Sequence, residues 1–135
     1  MCEIINFSTR KSFKGYKVAV KKGNKYFSPA SSIEYKIGKI DNRKISPKYR
    51  NGWFRDDLLE VGSGCYEVRM IGKTGVFKTK EDASSFRRCL YSYVDLVILR
   101  MTISSELLIG RFNFGRDSTN NVIIGSHIDE IIEIN

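Results

Sequence analysis

The chain has 135 residues, 41% of them hydrophobic and 28% charged, with only two prolines. That length and composition fit one folded domain spanning 1–135 and exclude a disordered tail, a collagen-like repeat and a two-domain enzyme. The 23 Lys and Arg against 15 Asp and Glu give +8, and the first 55 residues carry +11 while the remainder carries −3, so an anionic partner is expected.

In chain order, Tyr16, Val18 and Val20 alternate with Lys17, Ala19 and Lys21, the period-two pattern of a half-buried strand with its charges on the second face. Gly23-Asn24 and then Tyr26-Phe27-Ser28 complete a hairpin over 15–29 whose turn residues both suit positive φ. Pro29 ends the second strand for want of an amide hydrogen. Ile33 to Ile37 alternates as a third strand and stops at Gly38, and the charged stretch 41–52 reads as an exposed loop. Residues 65–71 form a strand, Gly72 to Gly75 a turn, and Val76-Phe77-Lys78 a short strand.

One principal helix is expected over about residues 80–93. Thr79-Lys80-Glu81-Asp82 resembles a capping box, and Ala83, Phe86, Leu90 and Tyr93 make an apolar stripe at spacings of three and four. Leu96 to Leu99 is a continuous apolar strand whose Leu96/Ile98 face is interrupted by Arg100. Residues 106–112 form another strand, 115–121 a turn-rich loop, and 122–124 with 128–134 the closing strands. The fold class is α+β, a mainly antiparallel sheet of about eight strands with that single helix.

Nothing in this pattern carries a catalytic set. His127 is the sole histidine, and no Gly-x-Ser-x-Gly, Walker or dinucleotide motif occurs. Asp56-Asp57 and Asp129-Glu130 are sequence neighbours, which a strand sends to opposite faces. Cys2, Cys65 and Cys89 have no metal-ligand spacing and cannot all pair, and Cys89 reads as a small core residue. The expectation is a protein that is not an enzyme and needs no cofactor or metal. No apolar stretch is long enough to span a bilayer and no signal peptide opens the chain, so no membrane association and a cytoplasmic location are expected.

The basic residues fall into two groups. Lys11, Lys14, Lys17, Lys21, Lys22 and Lys25 crowd the hairpin, where lysines also serve to discourage strand-edge association. Arg100 breaks an apolar strand, and Arg111 and Arg116 flank Phe112-Asn113-Phe114-Gly115. Guanidinium forks beside aromatic rings suit a nucleotide, while two core phenylalanines in a solvated loop would look the same.

The segments Gly15-Tyr16-Lys17-Val18, Tyr26-Phe27-Ser28-Pro29, Glu34 to Lys39, Gly75 to Ala83, Leu96 to Met101 and Ile128 to Ile134 together span nearly the whole chain. In them the sequence resembles the first Thoeris anti-defence family, phage proteins that sequester cyclic ADP-ribose isomers made by bacterial TIR enzymes. The resemblance implies a non-enzymatic, oligomeric sponge for a cyclic nucleotide signal, some members also taking cyclic oligonucleotides, at work in the host cytoplasm. Within the matching segments it implies Phe77 stacking on adenine, with Arg100 and Arg111 on the pyrophosphate; Arg116, Asn113 and Trp53 extend that set. The basic stretch 41–52 departs from the family pattern.

Three charge-assisted hydrogen bonds and one stack supply roughly 6–12 kcal/mol, against about 12 for nanomolar binding. A tight sponge is therefore expected to build its pocket from two protomers, as a homodimer or higher assembly. The alternative expectation is a basic nucleic-acid-binding or protein-blocking inhibitor that uses the +11 N-terminal half, with a nucleotide-cleaving enzyme built on Asp56, Asp57 or His127 as a third.

Overall fold

The computed structural model describes residues 2–29, 34–44, 58–61, 66–69, 72–90, 95–112 and 121–134. Its strands are β1 (Cys2–Phe7), β2 (Ser12–Lys22), β3 (Lys25–Phe27), β4 (Glu34–Tyr35), β5 (Gly38–Lys44), β6 (Leu58–Val61), β7 (Tyr66–Arg69), β8 (Thr74–Phe77), β9 (Asp95–Ser104), β10 (Leu108–Phe112), β11 (Val122–Gly125) and β12 (His127–Glu133). The helix α1 (Lys80–Cys89) lies between β8 and β9. The fold is a mainly antiparallel sheet with a single helix among the described residues, α+β in class and mostly β in content.

Among the described residues ten strands share one sheet in the order β1-β10-β11-β8-β2-β9-β12-β5, with β3 on β2 and β4 on β3; β6 and β7 form a separate pair. Two strand groups meet where β8 joins β2, and that ladder has a single residue pair, Tyr16 opposite Phe77. β2 and β9, by contrast, are paired along ten consecutive positions from Ser12/Ser104 to Lys21/Asp95. Gly15 makes the junction sterically feasible: a Cβ there would stand 2.3 Å from Val76 Cγ2 and 2.7 Å from the Phe77 carbonyl oxygen. Lys17 ties the same seam, its Nζ donating to Thr74 Oγ1 at 3.1 Å and to the Gly75 carbonyl at 2.8 Å.

Each sheet face has its own apolar cluster. On the inner face Ala19, Tyr26, Tyr35, Val76, Leu99, Met101, Ile103, Leu107, Ile123 and Ile131 pack together, bringing side chains from both strand groups into one core. On the other face Ala83 and Phe86 of α1 cover Val18, Phe77, Ile98, Phe112 and Val122. The helix is started by Thr79, whose Oγ1 accepts from the Asp82 amide at 3.1 Å, with Glu81 and Asp82 in the first turn.

Several sequence expectations need correction. The helix ends at Cys89 and not near 93: Leu90 is already extended, its amide bonded to the Arg87 carbonyl. Cys89 is exposed, one position off the buried stripe. The second face of β2 is not a solvent face, since Lys17 is only 2% exposed. In the hairpin turn Gly23 alone has positive φ, the pattern of a type II′ turn. Residues 41–44 belong to β5, and 74–75 to β8, where loop or turn was expected. β1 and β6 had no sequence signal, and β10 starts at Leu108 because Ser105 and Glu106 form a left-handed turn. Val122–Gly125 and His127–Glu133 are strands, as expected of the C-terminal segments.

Candidate functional site

The expected ligand site does not assemble around Phe77. Its ring is fully buried, with Phe86 of α1 at 5.5 Å and Phe112 at 6.1 Å between centroids, so that the helix side chain closes over it. A base cannot stack on a ring whose faces are occupied by core neighbours. The two arginines are separated as well. Arg100 is in step with Ile98 on the helix face, whereas Arg111 is in step with Ile109 on the inner face. They stand on opposite sides of the sheet, and β9 and β10 are not neighbours in it. Trp53, Asn113 and Arg116 lie outside the described residues.

The helix covers only part of its face, and what lies beside it is built by strand register. Tyr16, Arg100 and Ile132 are lateral neighbours across β2, β9 and β12, in the row that continues from Phe77. The next row, two residues along each strand, is Lys14, Thr102, Glu130 and Lys39 across β2, β9, β12 and β5. A register shift between Ile128 and Glu130 in β12 sends Ile128 to the inner core and returns Glu130 and Ile132 to the helix face. With strands about 4.8 Å apart, Tyr16 and Arg100 are within reach of one small ligand.

Tyr16 is half-buried, its ring resting against the helix-side cluster, and Arg100 is half-buried beside it. Among the described residues no hydrogen bond or ion pair engages the Arg100 guanidinium, and Lys14 and Lys39 are exposed without ion pairs. Among the described residues the patch carries three cations against the one carboxylate of Glu130. Chemically it offers a planar fork for phosphate, a ring for stacking, and the Thr102 hydroxyl and Glu130 carboxylate for hydroxyl or amino groups. The ring beside Arg100 is Tyr16 and not Phe77, a pairing that the sequence reading did not make. Period-two counting from Lys14 and Tyr16 was the available signal, but the partner strand could not be read from it.

Two other polar groups are held by their own partners. Lys73, buried, donates to Ser126 Oγ at 2.8 Å and to Glu106 Oε2 at 3.2 Å, and Ser126 Oγ donates to the same Glu106 oxygen at 3.0 Å. The serine proton is therefore directed at a carboxylate, and the arrangement latches the left-handed turn at 105–106 to Ser126, which lies between β11 and β12. At the opposite end of the inner face, Glu133 accepts from Tyr26 Oη and from Lys21 Nζ, the latter at 3.2 Å. The Tyr26 hydrogen bond and the Lys21 charge hold the Glu133 carboxyl below its ordinary range. Glu133 in turn raises Lys21 and Tyr26.

His127 is half-buried at the start of β12, and Asp129 accepts from Ser104 Oγ at 3.1 Å. Among the described residues no group of three or more His, Cys, Asp and Glu is placed to hold a metal ion, and no helix is long and apolar enough to cross a membrane. Compared with known proteins, the chain matches no family model, no curated protein and no solved structure.

Proposed function

We propose that this protein is a non-enzymatic binder that sequesters a nucleotide-type signal, a cyclic ADP-ribose isomer being the ligand its family resemblance implies, and so withholds it from a host effector. The observation that carries the reading is Arg100, a half-buried guanidinium in mid-sheet that no described residue pairs, directly across the β2–β9 ladder from Tyr16. A phosphate satisfies the fork and a base lies on the ring.

The affinity arithmetic shapes the assembly. One charge-assisted contact and one stack supply about 2.5–6 kcal/mol, which is tens of micromolar at best. Sequestration of a scarce signal needs more than this open face, so a second copy closing over the ligand is part of the proposal, giving a homodimer or higher assembly.

Calorimetric titration with cyclic ADP-ribose isomers and with cyclic oligonucleotides tests it. Binding by the natural chain, weakened at least tenfold in Arg100→Gln and in Tyr16→Ala, with the ligand recovered intact after heating and a dimer favoured in sedimentation, is the expected result. Unchanged affinity in both variants refutes the site, and recovery of a cleaved product refutes the non-enzymatic reading.

A further inference from the structure

The hairpin tip presents a second cationic surface that the nucleotide reading does not use. Lys22 of β2 stands directly opposite Lys25 of β3 across the Gly23-Asn24 turn. In the β3–β4 ladder Tyr26 faces Tyr35 and Phe27 faces Glu34, so Lys36, one residue past Tyr35, continues the row opposite Lys25. Three lysines thus follow one another, on β2, on β3 and just past the end of β4, spanning about 10 Å. All three are exposed, and among the described residues none makes an ion pair or hydrogen bond.

Like charges directly opposite on a sheet destabilise it. Edge protection accounts for Lys36, since β4 pairs only with β3, whereas Lys22 lies one residue past the end of the β2–β9 ladder, where its one ladder partner is the like charge of Lys25. Beside the row lies Phe27, half-buried, with the Lys22 ammonium 5.8 Å from its ring centroid. Glu34, exposed on the neighbouring position, is the one described carboxylate paired into this corner, and it leaves the row with net positive charge.

We propose that this row is a binding surface for single-stranded nucleic acid, the three ammonium groups tracking consecutive phosphates and Phe27 receiving a base. A row of cations flanked by one ring matches a flexible strand whose phosphates repeat and whose bases are free to stack. A lipid headgroup layer would use the charges but leave the half-buried Phe27 ring without a role.

The test is fluorescence anisotropy of the full chain with a labelled twelve-residue oligo-dT and oligo-U, at several salt concentrations. For a single strand, log K falls by about 0.7 per phosphate for each decade of salt, so Lys22→Gln/Lys25→Gln/Lys36→Gln is expected to flatten the slope by about 2. Phe27→Ala is expected to weaken binding about tenfold with the slope kept, and the triple Lys→Arg variant to bind as the natural chain does. Arg100→Gln, the variant that tests the nucleotide site, leaves this binding unchanged. The proposal is overturned if the triple Gln variant keeps the affinity and slope of the natural chain, or if vesicles of anionic phospholipid bind more tightly than the oligonucleotides. A melting curve of each variant confirms folding, which three exposed lysines do not threaten.

Discussion

Phe77 is where a ligand-stacking role and a core role part most sharply, and Phe77→Leu separates them. Leucine keeps most of the apolar bulk under α1, so the transfer free energy changes little and the loss falls mainly on two ring pairs, with Phe86 and with Phe112. Such pairs are worth about 0.5–1.5 kcal/mol each beyond area burial, a total of about 1–3 kcal/mol. Against a domain stability of about 5–15 kcal/mol this lowers Tm by roughly 3–15 °C for a chain of this size. Urea unfolding followed by circular dichroism measures the loss as a lower midpoint at constant slope. Nucleotide affinity, measured well below the midpoint, is expected to stay within twofold of the natural chain. If stability is unchanged while nucleotide binding disappears, the ring is on a ligand-facing surface and the core assignment is wrong.

Gly15→Ala is expected to cost at least about 2 kcal/mol, since the added methyl meets Val76 Cγ2 at 2.3 Å and the Phe77 carbonyl at 2.7 Å. Adding Val76→Ala in urea titrations should recover only part of this, because the carbonyl cannot yield; full recovery would place the clash in side chains alone. Ser105→Gly should raise stability by about 0.5–1 kcal/mol by relieving a residue at φ 67°, the strain outweighing glycine's freer unfolded chain, and a lower melting temperature would contradict it. The Glu133 cluster makes stability depend on pH at both extremes. The depressed Glu133 carboxyl contributes above the ordinary carboxyl value of 4.5 and its contribution is lost as pH falls through the lower folded value. The raised Lys21 and Tyr26 contribute below their ordinary values of 10.5 and 10.0, and lose that contribution as pH rises through the raised folded ones. Glu133→Gln should flatten both limbs in melts across pH, and limbs identical to the natural chain's would sink this account.

How much of the fold was legible depended on whether the signal was local. The Thr79 cap, the Ala83/Phe86 stripe and the apolar Leu96 to Leu99 run rest on contacts within a few residues, and each stands close to where the pattern put it. The limits of elements were less legible because tertiary contacts set them. Tyr93 fits the helical stripe by spacing, yet the chain turns extended at Leu90. Lys17 looked like a solvent residue because alternation reports a face and not what covers it. Only the arrival of β8, brought to β2 at Tyr16/Phe77, supplies the Thr74 hydroxyl and Gly75 carbonyl that make a buried ammonium tolerable. The close passage at Gly15 is invisible for the same reason, its partner being 61 residues away in Val76.

For the candidate site the decisive quantity is strand parity. Side chains on a strand alternate, so whether Arg100 and Arg111 meet depends on how β9 and β10 are placed in the sheet and not on the ten positions between them. The left-handed pair Ser105 and Glu106 breaks the counting between those strands, and β10 leaves β9 to pair with β1 and β11. Arg111 is thereby in step with the inner core, while Arg100 keeps the helix face with Tyr16. The juxtaposition of Arg100 with Tyr16, which the sequence reading did not make, is set by ten paired positions between β2 and β9. Shifting that register by one residue would carry Arg100 to the inner face and expose Leu99 and Met101, at a cost of several buried side chains worth about 1.5–3 kcal/mol each. The pair at the centre of the proposed site is therefore held by the same hydrophobic alternation that holds the sheet.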